Sequence, residues 1–133
     1  MEDRVLSAMV ELGTAIDTLA IQPTHDQCKE VNALSRSLLS ILLSACQDFG
    51  PYDDAEVLEH APGLFRRGAR VIDGYGHSTD SNELKEDAIN TRRWGELAKC
   101  LQEGNREKFQ QIIDGTLEEC ADQENKNTLV EVF

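Results

Sequence analysis

A helical period of apolar residues runs through five segments of this chain and limits the folds that are open to it. The first segment shows the period most clearly, because its apolar residues alternate at steps of four and three and so share one stripe of a helix, here named the first-helix stripe: Val5, Met9, Leu12, Ile16 and Leu19. No segment shows the strict alternation, bounded by hairpin turns, that is typical of strands. The sequence therefore predicts an all-α fold, a compact bundle of about five helices.

Capping residues divide these segments from one another. Thr24 and Gln27 have the spacing of a capping box, which predicts that a second helix begins there. Gly104 suits the left-handed conformation that closes a helix, and Asn105 suits the cap of the next one. We expect one long exposed loop over Gly74–Asn82, because its glycines and small polar residues favour turns.

The third segment contains a helix breaker. Pro62 and Gly63 interrupt an apolar pattern that then resumes, which predicts either a kinked helix or a short helix followed by a longer one. Gly68 lies on the resumed apolar face, and its missing side chain favours the close approach of a neighbouring helix.

The length of the chain, 133 residues, is close to the commonest size of one folded domain. Helical periodicity ends near Cys120. We therefore predict one helical domain over residues 1–120 and, over residues 121–133, a polar C-terminal tail with an apolar end.

Acidic residues outnumber basic ones by 25 to 13, which gives the chain a formal net charge of -12. A field of this sign repels nucleic-acid phosphate and anionic lipid, so we expect no direct binding to nucleic acid or membrane. The acidic surface has three possible roles. It attracts basic partners, it imitates a phosphate backbone, or it serves only to keep the protein soluble. The early acidic residues and the lack of a long unbroken apolar run predict a cytoplasmic protein.

The motifs of common enzymes are missing from the sequence: phosphate-binding loops, the nucleophile elbow and the HExxH zinc helix. The four cysteines stand apart from one another and form no CxxC pair, which predicts free thiols. We therefore predict a protein that is not an enzyme and that needs no metal or other cofactor.

Two acidic clusters are the strongest candidates for chemistry. A spacing of three places Glu56 with Glu59 on one helix face, and Glu83 with Glu86, beside Asp87, on another. Carboxylates from two antiparallel helices can hold Mg²⁺ and present it to substrate phosphates. The arrangement resembles the acidic motifs of the all-helical nucleoside-triphosphate pyrophosphohydrolases of the MazG and dUTPase type, although Glu86 stands where that family has aspartate. The resemblance implies a Mg²⁺-dependent hydrolase, which we keep as an alternative function.

Basic residues are concentrated in two short islands of the acidic chain. Arginine is favoured at protein interfaces because its planar group binds carboxylates and stacks on aromatic rings, whereas the competing role is pairing with acidic neighbours. We predict a contact patch for a partner from these islands: Arg66, Arg67, Arg70, Arg92 and Arg93.

The first-helix stripe, from Val5 to Leu19, has two interpretations. The heptad repeat extends over too few residues for a free-standing coiled coil. The stripe therefore either packs within the bundle or forms a homodimer interface.

These patterns together favour a non-enzymatic, acidic, helical protein-binding module of the adaptor, inhibitor, immunity or secretion-chaperone type, with another protein as its partner. One alternative is an acidic decoy that blocks a nucleic-acid-binding protein. The other is the Mg²⁺-dependent pyrophosphohydrolase.

Overall fold

The computed structural model describes the backbone of residues 2–46 and 55–119, with side chains over 4–46 and 58–115. Within these ranges the chain forms five helices: α1 (Glu2–Ile21), α2 (His25–Ala45), α3 (Ala55–Ser78), α4 (Asn82–Glu103) and α5 (Arg106–Glu119). The prediction of an all-α bundle is confirmed for this part of the chain. The predicted tail over residues 121–133 lies outside it.

One hydrophobic core joins the helices, and the first-helix stripe belongs to it. Val5, Leu12 and Leu19 are fully buried, and none of the five stripe residues is more than 8% exposed. They share a cluster with Phe65 of α3 and Trp94 of α4. The stripe is thus covered by the chain's own helices. A homodimer interface through it does not fit this burial, because α1 would first have to leave the bundle.

α3 and α4 form an antiparallel hairpin in which the backbones approach closely. A Cβ atom placed on Gly95 would lie 2.7 Å from the Cβ of Phe65, and one on Gly76 would lie 3.2 Å from the Cβ of Leu84. These two contacts set the register of the hairpin along its length. Glycine permits them because any larger residue would push the two helices apart.

The structure corrects the predicted boundaries of α3. Of the two alternatives at Pro62, the structure has one helix rather than a short helix followed by a longer one. Proline removes only one backbone hydrogen bond, and the packing of the buried Pro62 offsets that loss. The predicted loop over Gly74–Asn82 is wrong, since α3 extends to Ser78 and only three residues precede α4. Gly76 serves the close helix contact rather than a turn, and Asp80, with φ of 52°, takes the left-handed position that ends the helix.

The other predicted caps and contacts are present, except that the capping box at Thr24 is only half formed, because the buried Gln27 Oε1 has no hydrogen-bond partner among the described residues. The amide of Gln27 donates to the Thr24 hydroxyl at 3.1 Å, and Gly104 takes the left-handed conformation with φ of 69°. The amide of Lys108 donates to the Asn105 side chain at 3.0 Å. A Cβ on Gly68 would meet a methyl group of α2 at 3.0 Å, which confirms the close approach there.

No helix of the described residues has both the length and the hydropathy needed to cross a bilayer. Three of the predicted free thiols fall in the same part of the chain, and all three are free and buried: Cys28, Cys46 and Cys100.

A candidate binding groove

The acidic cluster of α4 binds a lysine of α2. The Lys29 Nζ lies 2.8 Å from the Glu83 Oε1 and 2.7 Å from the Asp87 Oδ2. The Asn32 amide of α2 also donates to the Thr91 hydroxyl at 3.1 Å. Burial opposes the charge on Lys29, but its hydrogen bonds to Asp87 and Glu83 outweigh that effect and raise its pKa. These carboxylates therefore fasten two helices together.

The two acidic clusters that the alternative function, a Mg²⁺-dependent hydrolase, requires to share an ion do not meet. Phe65 packs beside Gly95 in the antiparallel hairpin, so Glu59 is level with the end of α4. Glu59 and Glu83 are thus separated by roughly 27 Å along the hairpin, at about 1.5 Å per residue. The side chain of Glu56 lies outside the described ones. Within the described residues, no group of three or more His, Cys, Asp or Glu side chains is placed to hold a metal ion.

Basic side chains collect instead around a groove between α3, α4 and α5. One cavity of this groove has a volume of about 520 Å³ and is lined by Arg66, Arg70, Asp73, Arg92, Glu96, Lys99, Lys108 and Ile112. Five cations therefore face two carboxylates, a local surplus of three positive charges within a chain whose net charge is -12. The sign of the surface charge is reversed at this groove.

Helical periodicity gives the groove its walls. Arg66, Arg70 and Asp73 of α3 are spaced by four and three, as are Arg92, Glu96 and Lys99 of α4. Residues at this spacing share one helix face, so each wall is a row of side chains on a continuous helix. A surface built on helices in this way presents its charges at fixed separations.

The groove continues into a second cavity of about 560 Å³, which shares Arg92, Glu96 and Ile112 with the first. Ile89 lines this cavity and is 42% exposed. Gly115 of α5 also lines it, and a Cβ placed there would meet no described atom within 4 Å. This end of the groove therefore combines two isoleucines, Ile89 and Ile112, with charged and polar side chains.

The structure brings together three of the five arginines predicted to form a contact patch: Arg66, Arg70 and Arg92. Arg93 lines the second cavity. Arg67 is directed away from the groove, because its Nη2 lies 2.7 Å from the Asp17 Oδ1 of α1.

Sequence reasoning did not identify Lys99 or Lys108 as members of the groove. Lys99 follows Arg92 by seven residues, so helical spacing alone places the two on one face of α4. For Lys108 the sequence holds no comparable signal, because its place depends on how α5 packs against α4.

No protein-family model, curated protein or solved structure matches this chain. Its function is therefore inferred from the chemistry of the groove itself. Arginine binds carboxylates through two parallel hydrogen bonds, and lysine adds a compact positive charge. The groove is thus suited to an anionic ligand with several negative groups.

Proposed function

We propose that this protein is a protein-binding module and that its groove binds an acidic segment of another protein. The observation that carries the proposal is the surplus of three positive charges in one groove of a chain with net charge -12. The rest of the chain then carries -15. An acidic segment is repelled by that remainder and attracted by the groove, so the charge pattern selects both the site and the orientation of binding.

The charge pattern also argues against nucleic acid as the ligand. A nucleic acid carries its phosphates along its whole length, so any part that leaves the groove meets the acidic remainder of the surface. A protein segment carries carboxylates only where its sequence places them. The groove therefore fits a local acidic stretch better than a continuous polyanion.

The ion pairs of the groove supply specificity more than affinity. An exposed ion pair contributes about 0.2–1 kcal/mol, and salt screens it. Stable binding therefore requires apolar contact as well, and Ile89 and Ile112, which line the second cavity, provide apolar surface for it. Binding weakens with added salt but is not abolished by it.

Two neighbouring arginines allow a matched test. Arg66 lines the groove, whereas Arg67 pairs with Asp17 on another side of the same helix. The wild-type protein, an Arg66→Glu, Arg70→Glu variant and an Arg67→Gln variant are used for affinity capture from the source cell, followed by mass spectrometry. We expect the wild type and Arg67→Gln to retain the same acidic partner in stoichiometric amount, and the groove variant to lose it.

The capture result has two outcomes that overturn the proposal. One is retention of the same partner by the Arg66→Glu, Arg70→Glu variant, and a basic partner retained in this way favours the acidic decoy instead. The other is the absence of a stoichiometric partner for the wild type. Circular dichroism of each variant establishes that the helices remain folded.

A further inference from the structure

We infer that three arginines of the groove, here named the arginine triad, bind a phosphoryl group carried by a phosphorylated side chain of the bound segment: Arg66, Arg70 and Arg92. This inference rests on the proposed function and specifies the chemistry of the segment at one point of the groove. It follows from where the three arginines lie along the hairpin, from their lack of ion-pair partners and from the hydrogen bonds that they offer.

The register of the α3–α4 hairpin places the triad within about one helical turn. Phe65 of α3 is level with Gly95 of α4, since a Cβ on that glycine would lie 2.7 Å from the Phe65 Cβ. Because the helices are antiparallel, Arg92, three positions before Gly95, is level with a point three positions after Phe65, which lies midway between Arg66 and Arg70. Arg92 is therefore only about 3 Å from each of them along the hairpin, at about 1.5 Å per residue.

The arginines of the triad are not occupied by ion pairs within the protein. The neighbouring Arg67 shows the usual alternative, because its Nη2 lies 2.7 Å from the Asp17 Oδ1. Among the described residues, no carboxylate oxygen lies within 4.0 Å of a guanidinium nitrogen of the triad. Pairing with acidic neighbours, which accounts for Arg67, therefore does not account for these three arginines.

The two carboxylates that line the same cavity lie to either side of the triad. Asp73 comes after Arg70 on α3 and faces His77, whose Nε2 lies 3.3 Å from the Asp73 Oδ1. Glu96 is one turn from Arg92 on α4, in the direction of Lys99. The triad thus presents three guanidinium groups to one part of the cavity, between these carboxylates.

The number of donors in the triad matches a phosphoryl group better than a carboxylate. Each guanidinium carries five N–H donors in a planar fork, and one fork is enough to occupy both oxygens of a carboxylate. Two carboxylates brought to the triad together repel each other. A phosphoryl group on serine or threonine has three acceptor oxygens and a charge of about -1.5 to -2 on one centre, and arginine clusters are a recurrent way to bind it.

Three fluorescent peptides of one acidic sequence test the inference by anisotropy. Each has two glutamates on either side of a central residue, which is phosphoserine, glutamate or serine. The flanking glutamates offer carboxylates to Lys99 and Lys108 in either direction of binding. We expect the phosphoserine peptide to bind about tenfold more tightly than the glutamate peptide, and the serine peptide to bind more weakly still. Free O-phosphoserine is added as a competitor and should displace the phosphoserine peptide only at much higher concentration.

The Arg92→Lys variant separates recognition of the phosphoryl group from attraction by charge, because lysine keeps the positive charge and removes the planar fork. We expect it to weaken the phosphoserine peptide about tenfold. The glutamate peptide should change by about twofold or less, since one carboxylate needs only one of the forks that remain. Arg67→Lys is the matched control and should alter neither peptide, because Arg67 pairs with Asp17 outside the groove. Circular dichroism establishes that both variants remain folded.

The outcomes distinguish this inference from the proposed function. Equal binding of the phosphoserine and glutamate peptides, lost on Arg66→Glu, Arg70→Glu, overturns the phosphoryl site and retains the acidic segment. An equal effect of Arg92→Lys on both peptides likewise overturns the phosphoryl site. Binding of free O-phosphoserine as tight as that of the phosphoserine peptide overturns the proposed function, because the protein segment then adds nothing. If none of the peptides binds, both the inference and the proposed function fail.

Discussion

The Lys29 Nζ on α2 lies 2.7 Å from the Asp87 Oδ2 on α4, and the Asp87 side chain is only 14% exposed. The pair joins two helices through residues that are 58 positions apart in sequence. Because Asp87 is largely removed from water, the lysine stabilises a charge that would otherwise be poorly solvated.

Replacement of Lys29 by methionine should therefore lower the free energy of unfolding by about 1–3 kcal/mol, since it leaves Asp87 without its cation. Lys85→Met is the matched control, because Lys85 pairs at 3.1 Å with Asp80, which is 92% exposed. That change should alter stability by less than about 0.5 kcal/mol. Denaturant titration measures both, and equal losses would contradict the structural role of the Lys29 pair.

The same lysine predicts how stability responds to acid. The hydrogen bond from Lys29, with its positive charge, lowers the pKa of Glu83 below its ordinary value. A carboxyl group whose pKa is lowered by folding stabilises the folded state above its ordinary pKa, and this contribution disappears as pH falls through the folded pKa. Stability measured from pH 6 down to about pH 3 should therefore decline less steeply in Lys29→Met than in the wild type. Parallel profiles would show that the pair contributes nothing to this decline.

The buried thiol of Cys28 predicts a response to base. Burial, with a smaller effect from Asp87, raises the pKa of Cys28 to about 11. The unfolded chain ionises this thiol at lower pH than the folded chain, so stability is complete below the ordinary pKa and is lost as pH rises toward the folded value. Between about pH 9 and pH 11, under reducing conditions, stability should fall less in Cys28→Ala than in the wild type. The same slope in both proteins would refute this role of the thiol.

Glycine in the α3–α4 hairpin gives two opposite expectations. Gly95→Ala brings a Cβ within 2.7 Å of the Phe65 Cβ, so it should destabilise the protein by about 1–3 kcal/mol. Gly74→Ala places a Cβ where no described atom lies within 4 Å, so it should stabilise α3 by about 0.5–1 kcal/mol. Thermal melting of the two variants compares them directly. A neutral or stabilising Gly95→Ala would mean that the two helices are not in close contact there.

Local sequence signals predicted the helices and several of their ends, because these features depend on residues close together in the chain. Thr24 and Gly104 cap helices as expected, through hydrogen bonds that span five residues or fewer. The segment at Gly74 and Gly76 was misassigned as a loop because glycine has the same local preference whether it forms a turn or allows two helices to touch. Only the partner helix distinguishes the two cases.

The site was less predictable, since it depends on the direction and packing of whole helices. Helical spacing groups Arg66 with Arg70, and Arg92 with Lys99, but it does not place these faces opposite one another. Spacing places Glu83 and Glu86 on one face of their helix but leaves open whether Glu59 and Glu83 converge, and the antiparallel hairpin places these two at opposite ends. The groove exists only after α5 has folded back from Gly104 along α4.

Because α5 folds back along α4, the wall of the groove that α5 forms is held less firmly than the walls formed by α3 and α4. α5 packs mainly against α4, whereas α3 and α4 contact each other along their length and also contact α2. Regions with fewer packed neighbours open at lower free energy than the global transition, and their amide protons exchange sooner. Amides of α5 should therefore exchange with deuterium before those of α2 and α3. An acidic segment bound in the groove should slow exchange in α5 most, because a ligand that contacts both α4 and α5 opposes the opening of α5.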